Sequence, residues 1–244
     1  IWRMDINRSI IDEASSSFLM DLILGEQLWQ LNLYKDNLTT SFEHPEKPQM
    51  LGGSLNSGGI VSLTINDDFI FGYIRSGDNK YYIEPLRHIE RGAPKDLFIY
   101  YNVDDVINTG EHKCGVGQVS QKTPEIPHVP MKSTTMCKII DYAIANTHDM
   151  IAAFGTTTGV MNFNMGVLND VQTNYRSEFD SNIEYDIVTT YIASSPTANP
   201  YEPPTSTTNG STLLTRFRNW AWGPGNAGGG NTGGATGGFG VDYN

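Results

Sequence analysis

Phe69-Ile-Phe-Gly-Tyr-Ile-Arg-Ser-Gly-Asp-Asn-Lys-Tyr-Tyr-Ile-Glu-Pro-Leu86 contains two runs of aromatic and β-branched residues separated by Gly77-Asp78-Asn79. Such side chains fit a pleated, half-buried surface, and the glycine-led triplet supplies the positive φ of a tight hairpin. The pattern predicts strands over Phe69–Ser76 and Lys80–Leu86. Working outward, Ile60–Ile65 is a third strand, joined through the Asn66-Asp67-Asp68 turn, and Asp96–Val103 is a fourth, after Pro94. Upstream, Gln27–Tyr34 alternates apolar and polar residues with period two, and Pro45, Pro48 and Gly52-Gly53 read as a loop. Ile10, Ile11, Ala14, Phe18, Leu19, Leu22 and Leu24 recur at roughly helical spacing, which predicts a helix or two over residues 1–25. As far as about residue 107 the chain reads as a compact, mostly antiparallel β unit.

The character then changes. Asn108 to Thr135 carries Pro124, Pro127 and Pro130, few large apolar residues and no sustained period, which reads as an exposed connector. Beyond it the pattern is α/β. Lys138–Ala145 reads as a strand, Thr147 as the N-cap of a short helix through Phe154, and Val160–Phe179 as a longer helix. Val160, Val167, Leu168, Val171 and Tyr175 share a face of that helix. Ile183–Ile192 alternates and then becomes continuous, as a strand in a well-covered sheet does. Pro196–Gly210 reads as a polar loop, and a helix carrying Leu213, Leu214, Phe217 and Trp220 starts at Ser211 or Thr212. Gly223–Gly240 holds ten glycines in eighteen residues and reads as a flexible linker.

The 244 residues carry 16 Lys and Arg against 27 Asp and Glu, a net charge of −11. Nucleic-acid affinity rests on clustered cations that neutralise phosphates, so this balance argues against nucleic-acid partners. No run approaches the roughly 20 apolar residues of a membrane-spanning helix. The chain begins at Ile1, so the reading expects any export signal to have been removed or to lie outside it. A surface rich in Asn, Thr, Gly and Tyr and poor in Lys leans toward a secreted or cell-surface location.

Among local motifs there is no Gly-x-Gly-x-x-Gly, no phosphate loop, no Gly-x-Ser-x-Gly and no His-Glu-x-x-His, and the five histidines lie far apart. No complete catalytic site can be assembled from local motifs. What stands out is Glu111-His-Lys-Cys-Gly-Val-Gly117, a cysteine in the connector beside a cation and followed by glycines. Lys113 favours the thiolate, and Gly115 and Gly117 let the backbone fold tightly around a ligand. A thiolate so presented can fill the open position of a tetrahedral zinc. The alternatives are a disulfide with Cys137 and an inert buried thiol. Glu84 precedes a proline at a strand end and reads as structural, His112 as an exposed connector histidine, and Asp141 as a solvated strand carboxylate.

Tyr81-Tyr-Ile-Glu-Pro-Leu86, after the Gly72-Tyr-Ile-Arg75 strand, resembles the prodomain signature of the reprolysin (adamalysin-like) metzincin metalloproteases. In that family a single cysteine switch, typically Cys-Gly-Val, follows about thirty residues later, where this chain has Cys114-Gly115-Val116. Lys138–Asn146 is similar to the first strand of the catalytic domain, with Asp149-Met150 and Phe154-Gly155 in the helix after it. Val167–Tyr175 is similar to the second helix, Ile183–Tyr191 to the following strand, and Leu213–Trp220 to the Leu-x-x-Phe-x-x-Trp helix. Phe239–Asn244 is similar to the approach to the next segment. The likeness spans roughly residues 27–244 and is closest to bacterial secreted members. It departs at the zinc site: His-Glu-x-x-His-x-x-Gly-x-x-His and the Met turn are not in these residues and are expected in sequence that follows.

The resemblance implies an α+β chain in three parts. Residues 1–117 are a β-rich prodomain with the cysteine switch, 118–135 a connector holding the activation cleavage, and 136–244 the N-terminal α/β part of a metzincin-like catalytic domain. It implies a latent zinc metalloendopeptidase with protein or peptide substrates and an activating protease as partners. Cys114 is the one metal ligand carried over, and Asp141 falls where relatives carry an acidic residue that helps bind a structural calcium ion. In the family, a Glu deprotonates a zinc-bound water that attacks the scissile carbonyl. The alternative is a non-catalytic secreted binding or surface-structural protein of two domains with a glycine-rich tether. Two structural expectations follow: the β unit packs separately from the α/β unit, and strands 138–145 and 183–192 are neighbours in one sheet.

Overall fold

The structure is a computed structural model that describes residues 1–4, 11, 13–36, 39–40, 46–107, 138–179, 183–196, 216–217 and 220–221. Eleven strands are present among them: β1 (Trp2–Arg3), β2 (Ser17–Leu24), β3 (Gln27–Lys35), β4 (Thr39–Thr40), β5 (Gln49–Leu55), β6 (Ile60–Asn66), β7 (Phe69–Ser76), β8 (Asn79–Pro85), β9 (Leu97–Asn102), β10 (Lys138–Asn146) and β11 (Ile183–Ile192). Among the described residues the continuous helices are α1 (His148–Phe154) and α2 (Thr157–Phe179), with 3₁₀ turns at Leu86–His88 and Val103–Asp105; Ile11, Glu13, Arg216, Phe217, Trp220 and Ala221 are also helical. The chain divides into two units. The first gathers Ile1–Ile107, Cys137–Ile144 and Asp149–Val188; the described residues of the second are 145–148, 189–196, 216–217 and 220–221.

In the first unit, eight strands form one curled antiparallel sheet in the order β1-β9-β8-β7-β6-β5-β3-β2. The hairpins read from the turns are there, with Gly72 opposite Ile83 and Leu63 opposite Gly72. One face of the curled sheet buries a row from every central strand: Trp29, Leu31, Leu33, Leu51, Val61, Leu63, Ile70, Ile74, Ile83 and Phe98. The strands β6 and β7 are buried on both faces, because α2 covers the other side. The architecture is mixed, as α+β implies, but mainly β.

Two elements differ from the sequence reading. Residues 17–24 are a strand, not part of a helix: Phe18, Met20, Leu22 and Leu24 also alternate, and pairing along the whole of β3 selects that period. A turn at Gly25 (φ 66°) closes the hairpin. Gly52-Gly53 lies inside strand β5 rather than in a loop. Each glycine is there for space. A Cβ on Gly52 would lie 2.5 Å from the Tyr34 hydroxyl oxygen, and one on Gly53 would lie 2.3 Å from the Asn32 carbonyl oxygen.

The α/β stretch follows its reading closely. Strands β10 and β11 are hydrogen-bonded neighbours in a three-stranded sheet, β10-β11-β4. Met165 and Leu168 of α2 pack with Tyr185, Ile187 and Met50 to form a second core, flanked by Ile144, Val171 and Tyr175. Val167 departs from the predicted apolar face and is exposed. The β unit does not pack separately, since α2 lies on β5, β6 and β7 and belongs to the same unit. The physical reason is that α2 has two buried faces, one apolar and one polar. In the second unit, Ala193 N–H donates to the Asn146 carbonyl and the Tyr191 ring lies against Trp220. No described helix is long and apolar enough to cross a membrane.

Candidate functional site

The polar face of α2 is where the described chemistry concentrates. Asn162, Asn164, Asn169, Asp170, Gln172 and Thr173 are all buried, an unusual number for one helix. Asn residues are poor helix formers because their amides compete with the backbone, so their presence here calls for partners. Asn169 has them: Nδ2 donates to the carbonyl of Leu63 at 3.0 Å, to Thr64 Oγ1 at 3.1 Å and more weakly to the carbonyl of Leu51 at 3.4 Å. Leu51 and Leu63 are opposite one another in the β5–β6 ladder, so a single amide reads both strands at one rung. One turn on, the Tyr73 hydroxyl donates to Asn174 Oδ1 at 2.9 Å, and Asn174 Nδ2 donates to the Asp170 carbonyl. Gly166 allows this approach, because a Cβ there would lie 2.6 Å from the Phe71 ring.

Toward the other sheet, Gln172 takes the place of a neighbouring strand. Its Nε2 donates to the Ile183 carbonyl at 3.0 Å, and its Oε1 accepts from the Tyr185 N–H at 2.8 Å. Arg176 joins both sheets: its guanidinium is paired with Asp36, at the end of β3, and with Glu184 of β11 at 3.2 Å. A cleft of about 470 Å³ opens beside it, lined by Asn32, Tyr34, Gly53, Thr173 and Arg176 among others.

Asp170 is the one ionisable member of the buried set. Its Oδ1 is buried without a hydrogen-bond partner, as are Asn162 Oδ1, Asn164 Nδ2, Asn169 Oδ1 and Thr173 Oγ1. Burial pushes its pKa up to about 7, against smaller opposing influences of Ser62 and Lys80. Burial likewise raises Tyr73, with the Asp170 carboxylate adding to it.

At the far end of the helix, His88 anchors the sheet to α1 and α2. Its ring is enclosed by Phe69, Phe71, Phe154 and Phe163, with Phe154 edge-on at 4.6 Å between centroids. Its Nδ1 is 3.3 Å from Glu84 Oε2, and the Tyr101 hydroxyl donates to Glu84 Oε1 at 2.8 Å. Glu84 therefore has the structural place expected of it. Tyr101 titrates well above its ordinary value because of burial and this hydrogen bond. Truncating His88 to Ala removes a side chain only 4 % exposed and leaves Glu84 Oε2 without its partner, while Tyr101 still holds Oε1. The expected loss is about 2–4 kcal/mol in urea unfolding, with His88→Gln recovering part of it.

Asp141 is exposed on β10, as a solvated strand carboxylate. Cys114, His112, Gly115, Gly117 and Cys137 lie outside the described residues, together with the connector, residues 1–117 beyond Ile107, and most of 197–244. Among the described residues no three His, Cys, Asp or Glu side chains come together to hold a metal, so these residues do not provide a zinc site. The ligand set implied by the resemblance falls elsewhere, and no step through zinc is derived from this geometry. Asn169, Asp170 and Gln172 escaped the sequence reading, although the density of mid-helix Asn was a signal for them. Compared with family models and with curated proteins, the sequence matches none of them.

Proposed function

We propose that the chain is the latent amino-terminal part of a secreted zinc metalloendopeptidase. Residues 1–117 are its prodomain, 118–135 the activation connector, and 136–244 the beginning of the catalytic domain. The observation that carries the reading is the succession β10–α1–α2–β11, with β10 and β11 adjacent in one sheet and α2 packed against it. That is the order of elements implied by the metzincin likeness of Lys138–Tyr191.

In this reading the bound metal supplies Lewis-acid polarisation and an activated water for peptide hydrolysis. Cys114 withholds the metal's open position until the connector is cut. The polar face of α2 keeps the prodomain seated meanwhile, through Asn169, Asn174 and Arg176. Calcium, if present, is a structural ion.

Limited proteolysis of the parent protein tests the arrangement. The first cuts are expected between Gln118 and Thr135, and peptidase activity that a chelator abolishes is expected to appear with them. First cuts inside Phe69–Leu86, or connector cleavage without any activity, would leave the non-catalytic secreted module as the better description.

A further inference from the structure

We propose that Asp170 is a pH-responsive latch, whose carboxyl is accommodated between α2 and the sheet while neutral and loosens that packing once ionised. The residues on either side of it in the helix are fixed: Asn169 to Leu51, Leu63 and Thr64, and Asn174 to Tyr73. Between these anchors sits a carboxyl that is nine-tenths buried, with Oδ1 unpartnered and the Ser62 hydroxyl of β6 as the one side-chain donor that acts on it. A buried carboxylate needs a cation or several donors to remain ionised at low free energy.

The charges around it do not provide that. From β8, the Lys80 ammonium lies 4.2 Å from the Tyr73 ring centroid and 4.9 Å from that of Tyr82, and its charge favours the Asp170 carboxylate by less than burial disfavours it. From β7, Tyr73 stays neutral and Arg75 acts on Tyr73. From β3 comes Tyr34, and β6 contributes only the Ser62 hydroxyl. β5, Gln49–Leu55, has no titratable side chain. On α2 itself, Arg176 is already held by Asp36 and Glu184. Thr173, one turn beyond Asp170, lines the open cleft of about 470 Å³.

The direction follows from linkage. Asp170 titrates near 3.8 when unfolded and near 7 when folded. Between those values the folded chain holds a proton that the unfolded chain has released, so stability falls as pH rises and levels off above about 7. The folding equilibrium constant therefore drops by up to about a thousandfold across this window from this one group. Resting on the peptidase reading, the latch would favour retention of the prodomain in acid and its release at neutral pH, after connector cleavage.

The test is urea unfolding of the 244-residue chain against pH, with Asp170→Asn beside it. Asparagine keeps the shape and cannot ionise. The wild type is expected to lose stability from about pH 4 to about pH 7 relative to Asp170→Asn, and its α2 amides to exchange faster at about pH 8. Parallel profiles for the two proteins would overturn the proposal. If the variant does not fold, the wild-type Asp170 carboxyl resonance decides: titration near 7 upholds the latch, and titration near 4 overturns it. Failure of the peptidase reading would appear as absent activity after connector cleavage and would leave these profiles unchanged.

Discussion

Gly72→Ala is expected to lose more than about 4 kcal/mol of stability, enough to unfold the β unit, because strain and a backbone clash act together. Gly72 has φ 151°, a conformation that side-chain-bearing residues rarely adopt, and it sits mid-strand between Leu63 and Ile83. A Cβ there would lie 2.0 Å from the Ser62 carbonyl oxygen and 3.0 Å from the Leu63 Cα. Both neighbours are backbone of the adjoining strand, so neither can swing aside. Relief requires opening the β6–β7 ladder, under which α2 is packed. Circular dichroism and urea unfolding of Gly72→Ala beside the wild type measure the loss. Gly77→Ala is the control: its φ is also positive, at 59°, but a Cβ meets nothing within 4 Å, so the loss there is expected to be about 1 kcal/mol.

The same pair of glycines shows what can be read in the sequence. Gly77 announces itself, because it stands between two apolar runs in a turn triplet, and the hairpin it closes is present. The strands β6 to β9 and the succession β10–α1–α2–β11 are legible for the same reason: local turns, caps and periods agree with their tertiary places. Where local signals conflict, the reading fails. Phe18, Leu19 and Leu22 satisfy helical spacing, Phe18, Met20, Leu22 and Leu24 satisfy strand spacing, and only the partner β3 selects between them. Gly52-Gly53 looks like loop punctuation until Tyr34 and the Asn32 carbonyl are seen filling the space over it.

The polar contact was harder still. A buried Asn and a solvated Asn are the same letter, and the partners of Asn169 are backbone carbonyls more than a hundred residues away. The sequence places Val167 with the apolar residues, yet it is Asn169 and Asp170 that are buried and Val167 that meets solvent. Sequence separation suggests two independent units, while the helix of the later stretch lies on the sheet of the earlier one and belongs to the same unit. Within the proposed proenzyme this contact has a ready meaning. Cutting the connector removes the covalent tie, but the Asn169, Asn174 and Arg176 contacts must also part before the prodomain leaves.

Loss of the Cys114 thiolate is expected to give activity without cleavage. With the parent protein uncut and loaded with zinc, Cys114→Ser is expected to raise peptidase activity from background toward that of the cleaved enzyme, because a soft anionic ligand has been replaced by a poor one. Cys137→Ser is expected to leave the protein latent. The decisive measurement is a thiol count on wild-type protein denatured in chelator, paired with thiol-reagent labelling of the native zinc-loaded protein. Cys114 and Cys137 are both expected to label as free thiols after denaturation, and Cys114 to be protected in the native state until zinc is withdrawn. Failure of both to label after denaturation, with both substitutions behaving alike, would point to a Cys114–Cys137 disulfide and contradict the switch.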